Sequence, residues 1–173
     1  MKFVLGLLAI GLSLAQYDPA LVSVHSAIPA TQAAGRVCER ADLKIKEGET
    51  DAAMGGVRRT PFILTNASAS ACTLKGYVAL ELLNQAGAVV KRATKQKSDD
   101  PITAVNLEPG KTAWFALNHN AGGAGYMGKP CPNYARVRIT TPGAKTPFVV
   151  RGEIQSCAGT DLEVTPISGG TPE

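Results

Sequence analysis

The chain is 173 residues long, 45% hydrophobic, 18% charged and 5% aromatic, with 18 glycines and 11 prolines. This is apolar enough to bury a core, too apolar for an intrinsically disordered chain, and of a length that suits one domain rather than two. A formal charge of +4 does not call for the dense cationic stripe that displaces counterions from phosphates, so no nucleic-acid partner is expected.

The opening MKFVLGLLAIGLSLAQ has one cation at Lys2, an apolar run from Phe3 to Leu14 and small residues at Ser13 and Ala15. Residues 1–15 therefore match a secretory signal peptide cleaved after Ala15. The run falls short of the roughly 20 apolar residues a membrane helix needs, and no Cys follows it to accept a lipid. A secreted or periplasmic product with no integral membrane segment is expected. Residues 16–37 mix Ala, Ser and Pro without a period and read as a linker or arm. The domain is expected over 38–167, and residues 168–173, SGGTPE, read as a frayed tail.

From Cys38 the pattern changes. Leu43 and Ile45 alternate with charged residues, and Phe62 and Leu64 alternate with Ile63 and Thr65 up to a turn at Asn66. YVALELLN (77–84), then Gln85-Ala86-Gly87 and AVVKRA, reads as a hairpin bending near Gly87; a helix over Val78–Ala93 is disfavoured by Gly87 and the Val89-Val90 pair. Further strands are expected at Ile102–Leu107, at TAWFALNH after the Glu108-Pro109-Gly110 turn, around Val137 and Ile139, over Phe148–Ile154 after Pro142-Gly143, and at Leu162 and Val164. The total is an all-β sandwich of about seven to nine strands.

Cys38, Cys72, Cys131 and Cys157 are an even set in a chain with an export leader, which reads as two disulfides. Three pairings are open. Cys38 with Cys72 and Cys131 with Cys157 is preferred, because sequential pairs near strand ends close loops without threading. A zinc site is disfavoured, since no close ligand pair such as C-x-x-C exists.

The segment FILTNASASACTLKGY (62–77) resembles the hallmark of the domain of unknown function 4232 family, a strand ending in T-N, a small polar turn and C-T-L-x-G-Y. Leu107-Glu108-Pro109-Gly110 with the Trp114 strand, then Cys131, Val137-Arg138-Ile139-Thr140, Pro142-Gly143, Cys157 and Leu162–Pro166 are similar to the rest of its pattern. The resemblance implies an exported, immunoglobulin-like antiparallel sandwich, frequent in bacterial envelope proteins, with no established activity. Unlike many relatives, this chain lacks a lipidated Cys.

Few residues are suited to chemistry. Gly123-Ala124-Gly125-Tyr126-Met127-Gly128 satisfies G-x-G-x-x-G, but Pro130 and Pro132 follow where a nucleotide-binding helix would have to begin. His119 and Met127 flank this glycine loop and are weak candidates for a copper site, short of a third ligand. His119 is otherwise expected on an exposed loop. A hydrolase lacks material, since only His25 and His119 exist and there is no G-x-S-x-G. The cationic run 91–97, ending at Asp99-Asp100, reads as a solvated hairpin end, and one of Arg58-Arg59 should face solvent. Asn66-Ala67-Ser68 is a sequon, but a turn role for Asn66 is preferred. Trp114, the sole Trp, is expected as a core anchor between the sheets.

These readings lead to a non-enzymatic binding or structural module without a cofactor, whose partner is a protein or glycan of the cell envelope. The expected contact loop carries Gly122, Gly123, Tyr126 and Lys129. A periplasmic copper carrier and an inhibitor of an exported protease are the alternatives.

Overall fold

The computed structural model describes residues 35–52, 54–122 and 130–172, all within the unit Gln32–Glu173. In chain order the strands are β1 (Leu43–Glu47), β2 (Asp51–Ala52), β3 (Val57–Asn66), β4 (Cys72–Lys75), β5 (Ala79–Leu83), β6 (Val89–Arg92), β7 (Thr94–Lys95), β8 (Ala104–Leu107), β9 (Thr112–Asn120), β10 (Asn133–Thr140), β11 (Phe148–Gln155), β12 (Glu163–Val164) and β13 (Ser168–Gly169). Nine of them are at least four residues long; β12 is the strand expected at Leu162 and Val164, and the other three are two-residue pairings too short to leave a periodic signal.

The larger sheet runs β1-β3-β9-β12-β7, with β2 on β3 and β13 on β9; the smaller runs β11-β10-β5-β6, and β4 pairs β8 as a separate ribbon. All ladders are antiparallel except β12 with β7. The alternation in the sequence is what lets the two sheets face each other. Phe62 and Leu64 of β3 and Phe115 and Leu117 of β9 point inward from the larger sheet; Leu80, Leu82, Val137, Ile139 and Ile154 meet them from the smaller. Phe62 and Phe115 are register partners and stack with ring centroids 5.3 Å apart. Both are fully buried, and truncating either to Ala costs about 3–5 kcal/mol.

The hairpin forms as expected. Gly87, at φ 84°, takes the left-handed turn position that its missing Cβ allows. Both expected disulfides also form, Cys38–Cys72 and Cys131–Cys157. With sequence separations of 34 and 26, each restricts the unfolded chain by about 3–4 kcal/mol.

Three expectations are corrected. Residues 36 and 37, expected in the arm, are tied to the sandwich: Val37 bridges to Thr73, and the Arg36 guanidinium grips the Asp42 carboxylate through both nitrogens. The C-terminal segment is paired from Ser168, since Ser168 and Gly169 align with Trp114 and Ala113 and Gly170 N donates to Thr112 O at 2.9 Å. The cationic run is not a free hairpin end. It crosses between sheets at Ala93, where Ala93 N bonds Leu80 O of the smaller sheet and Thr94 N bonds Leu162 O beside the larger.

Candidate functional site

Trp114 does not lie between the sheets. Along β9, Ala113, Phe115, Leu117 and His119 are buried and alternate with Thr112, Trp114, Ala116 and Asn118 on the outer face, where Ala116 is itself covered by the chain at Thr165. Adjacent bulky rings at 114 and 115 cannot both face a one-sided core, and Phe115 takes it because its parity also carries Ala113 and Leu117. The expected core anchor is thus an outer-face residue.

On that face Trp114 sits between Ile63 of β3 and Ser168 of β13, and Ile63 pairs in turn with Lys46 of β1. The Arg59 guanidinium lies over the indole, 5.3 Å from the ring centroid, a contact worth about 0.5–1 kcal/mol at an exposed site. Arg59 is exposed and makes no ion pair among the described residues, so its in-plane N–H groups stay free to donate. Asp51, Arg59, Pro61, Trp114, Ser168 and Pro172 line an open cavity of about 360 Å³ here. With Lys44 and Lys46 also exposed on this side, the face offers an aromatic plane bordered by cations, one carboxylate and small polar groups.

His119 is buried on the inner face, 4% exposed, rather than on an exposed loop. Its Nδ1 lies 2.6 Å from Gln155 O and its Nε2 2.9 Å from Thr60 Oγ1. The carbonyl only accepts, so Nδ1 carries the hydrogen and Nε2 accepts from Thr60, which accepts in turn from Thr50 Oγ1 at 2.9 Å. Burial lowers the His119 pKa, with Arg58 and Lys91 adding to the effect and the Gln155 bond opposing it. A neutral imidazole with both nitrogens engaged has no lone pair to offer a metal. Met127, the other weak copper candidate, lies outside the described residues, as do Gly123, Tyr126 and Lys129 of the expected contact loop.

Gly122 is described, and it belongs to the sandwich end. Its N donates to Asn120 Oδ1 at 2.8 Å, and a Cβ there would sit 3.2 Å from Cys131 Sγ. Next to this corner, Lys91 Nζ donates to Ser156 Oγ, Cys157 O and Thr160 Oγ1. Partial burial lowers the Lys91 pKa and Asp161 opposes that shift. Asn66 is equally committed at the other end: its amide donates to Ser70 O and Leu107 O and accepts from Ser68. It is 1% exposed, which bears out the turn role and leaves the sequon amide closed to modification.

The fold and these sites define a disulfide-stapled β-sandwich module in which, among the described residues, no helix is long and apolar enough to cross a membrane. The family described as Domain of unknown function (DUF4232) matches residues 38–168, and this chain belongs to it. No curated protein shows a significant match to the chain.

Proposed function

We propose that this chain is a non-enzymatic binding module, secreted or periplasmic, that holds a glycan of the cell envelope on the face built around Trp114. The observation that carries the reading is a large aromatic ring kept at the surface of a rigid sheet with an unpaired guanidinium stacked on it. A sugar ring presents an apolar face of C–H groups that packs on an aromatic plane, and its hydroxyls suit the donors and acceptors of Arg59, Asp51 and Ser168. The absence of long side-chain rearrangement on a strand keeps the ordering cost of binding low. Two disulfides support an oxidising compartment, and the leader-like start supports export. The engagement of both His119 nitrogens weighs against the copper carrier and against a general base in a hydrolase.

Trp114 is the only Trp, so its fluorescence reports the site directly. Titration with neutral and acidic envelope oligosaccharides should give a saturable change, and Trp114→Ala should weaken binding at least tenfold by calorimetry. No saturable change with any glycan, or unchanged affinity in Trp114→Ala, would sink the reading; a saturable change with an envelope protein alone would transfer the site to a protein partner.

A further inference from the structure

The outer face of the smaller sheet carries four arginines, two of which stand opposite one another without an acid between them. In the β10–β11 register Arg136 pairs with Arg151, and both are exposed. Like charges directly opposite in a sheet destabilise it. One row along, the same sheet has an acid in place: Arg138, Glu81 and Arg92 align across three strands, and the Glu81 carboxylate accepts from Arg92 Nε at 2.9 Å and Arg138 Nη1 at 3.1 Å. For Arg136, among the described residues, the contact is Nη1 to Gln85 O at 3.5 Å. Neither Arg136 nor Arg151 forms an ion pair there, although Glu153 lies two residues along β11. The register shifts between Tyr134 and Arg136, an irregularity of the kind that re-aims side chains. An open trough of about 640 Å³ is lined by Arg136, Arg151, Ala135, Val149 and Val150.

We propose that Arg136 and Arg151 clamp the oxyanions of a polyanionic glycan that lies across the outer face of the smaller sheet, a site separate from the Trp114 face. An anion between the two forks converts the repulsive pair into a binding element, since guanidinium geometry matches carboxylate and phosphate alike. Arg138 stands two residues from Arg136, about 6.6 Å along the strand, and its row, two arginines on the single Glu81 carboxylate, keeps a positive charge beside the clamp. That repetition fits a chain with an anion on successive units better than a single small ion. The trough is lined by the two arginines with only Ala135, Val149 and Val150, which offers guanidinium forks rather than a seat for the aromatic anchors of a protein partner. Tyr134 packs against the core and lines the neighbouring cavity rather than the trough, so the trough itself has no ring for stacking nucleic-acid bases.

The test is calorimetric titration of the exported protein with polygalacturonate for the carboxylate, polyphosphate for the phosphate, neutral dextran and single-stranded DNA. Wild type should bind one or both polyanions, and the preference between them names the anion. Arg136→Gln/Arg151→Gln should weaken that binding at least tenfold and make the salt dependence shallower by about two on a log–log plot. Lys75→Gln/Lys111→Gln, which removes the same charge from β4 and from the turn between β8 and β9, at exposed positions outside both proposed faces, should change affinity less than twofold. The proposal is overturned if wild type binds neither polyanion, if both double variants lose affinity equally, if dextran binds as well as the polyanions, or if DNA is preferred. A thermal melt keeps folding separate: Arg151→Gln should melt at or above wild type at low salt, and a lower melting temperature would make Arg151 structural and overturn the clamp.

Discussion

The two ends of the sandwich each hold a disulfide beside a buried polar network, yet they are built on different physics. At the Cys38–Cys72 end both cysteines are fully buried in the core cluster, and the surrounding polar groups are a paired carboxylate, Asp42, and a fully engaged amide, Asn66. At the Cys131–Cys157 end backbone is packed against backbone through Gly56 and Gly122, and the neighbouring titratable groups, His119 and Lys91, are bases whose charged forms burial disfavours. One bridge reinforces a corner that side chains already fill. The other stands where few apolar side chains are available to do so.

The largest expected effect separates the bridges. Their loops have similar closure entropy, so replacing Cys38 and Cys72 with Ala should cost about 4–6 kcal/mol, and replacing Cys131 and Cys157 about 3–4 kcal/mol, the excess coming from lost core packing. Urea unfolding of the two double variants measures the gap, and equal losses would mean that packing does not distinguish the ends. Next is Asn66→Ala, which strands the buried Leu107 carbonyl and should cost about 2–3 kcal/mol by the same measurement. At the opposite end Gly56→Ala should cost about 2 kcal/mol or more, because φ is 79° and the added Cβ would run into the Gly122 carbonyl. A loss below about 0.5 kcal/mol would show that this corner yields easily.

The smallest effect is pH dependence, and it should divide between the ends. The His119 pKa is lowered on folding, so the unfolded chain takes up its proton first. The associated stability is present above about pH 6.5 and declines as pH falls from there toward the folded value. The Asp42 pKa is also lowered, chiefly by its hydrogen bonds from Arg36. Its contribution is present above the ordinary Asp range and is lost as pH falls through the folded value. Urea midpoints from pH 8 to pH 3 should therefore decline in two windows, the upper flattened in His119→Gln and the lower in Arg36→Gln. A single window unaffected by either substitution would contradict this division.

Much of the fold was legible because local chemistry and global packing agree. The turn glycine at 87, the Leu80–Leu82 alternation and the cysteine order each point to the structure that forms. The functional face was legible only in part. The parity of β9 puts Trp114 with Thr112, Ala116 and Asn118, against Phe115 with Ala113 and Leu117, and that pattern was enough to turn the Trp outward. The weight given to a lone Trp as a core residue hid it. The burial of His119 is not legible for a different reason: its partners, Thr60 and Gln155, are 59 and 36 residues away, and no local pattern encodes them.

What the sequence determined by itself was therefore one-dimensional: which residues alternate, where the chain must turn, that four cysteines make two disulfides, and to which family residues 38–168 belong. Tertiary structure decided what meets what. The row from Lys46 through Ile63 and Trp114 to Ser168, and the opposed Arg136 and Arg151, arise from strand register, which side-chain burial sets across the whole sheet. A slip of one residue in any ladder would send each of these groups to the other face.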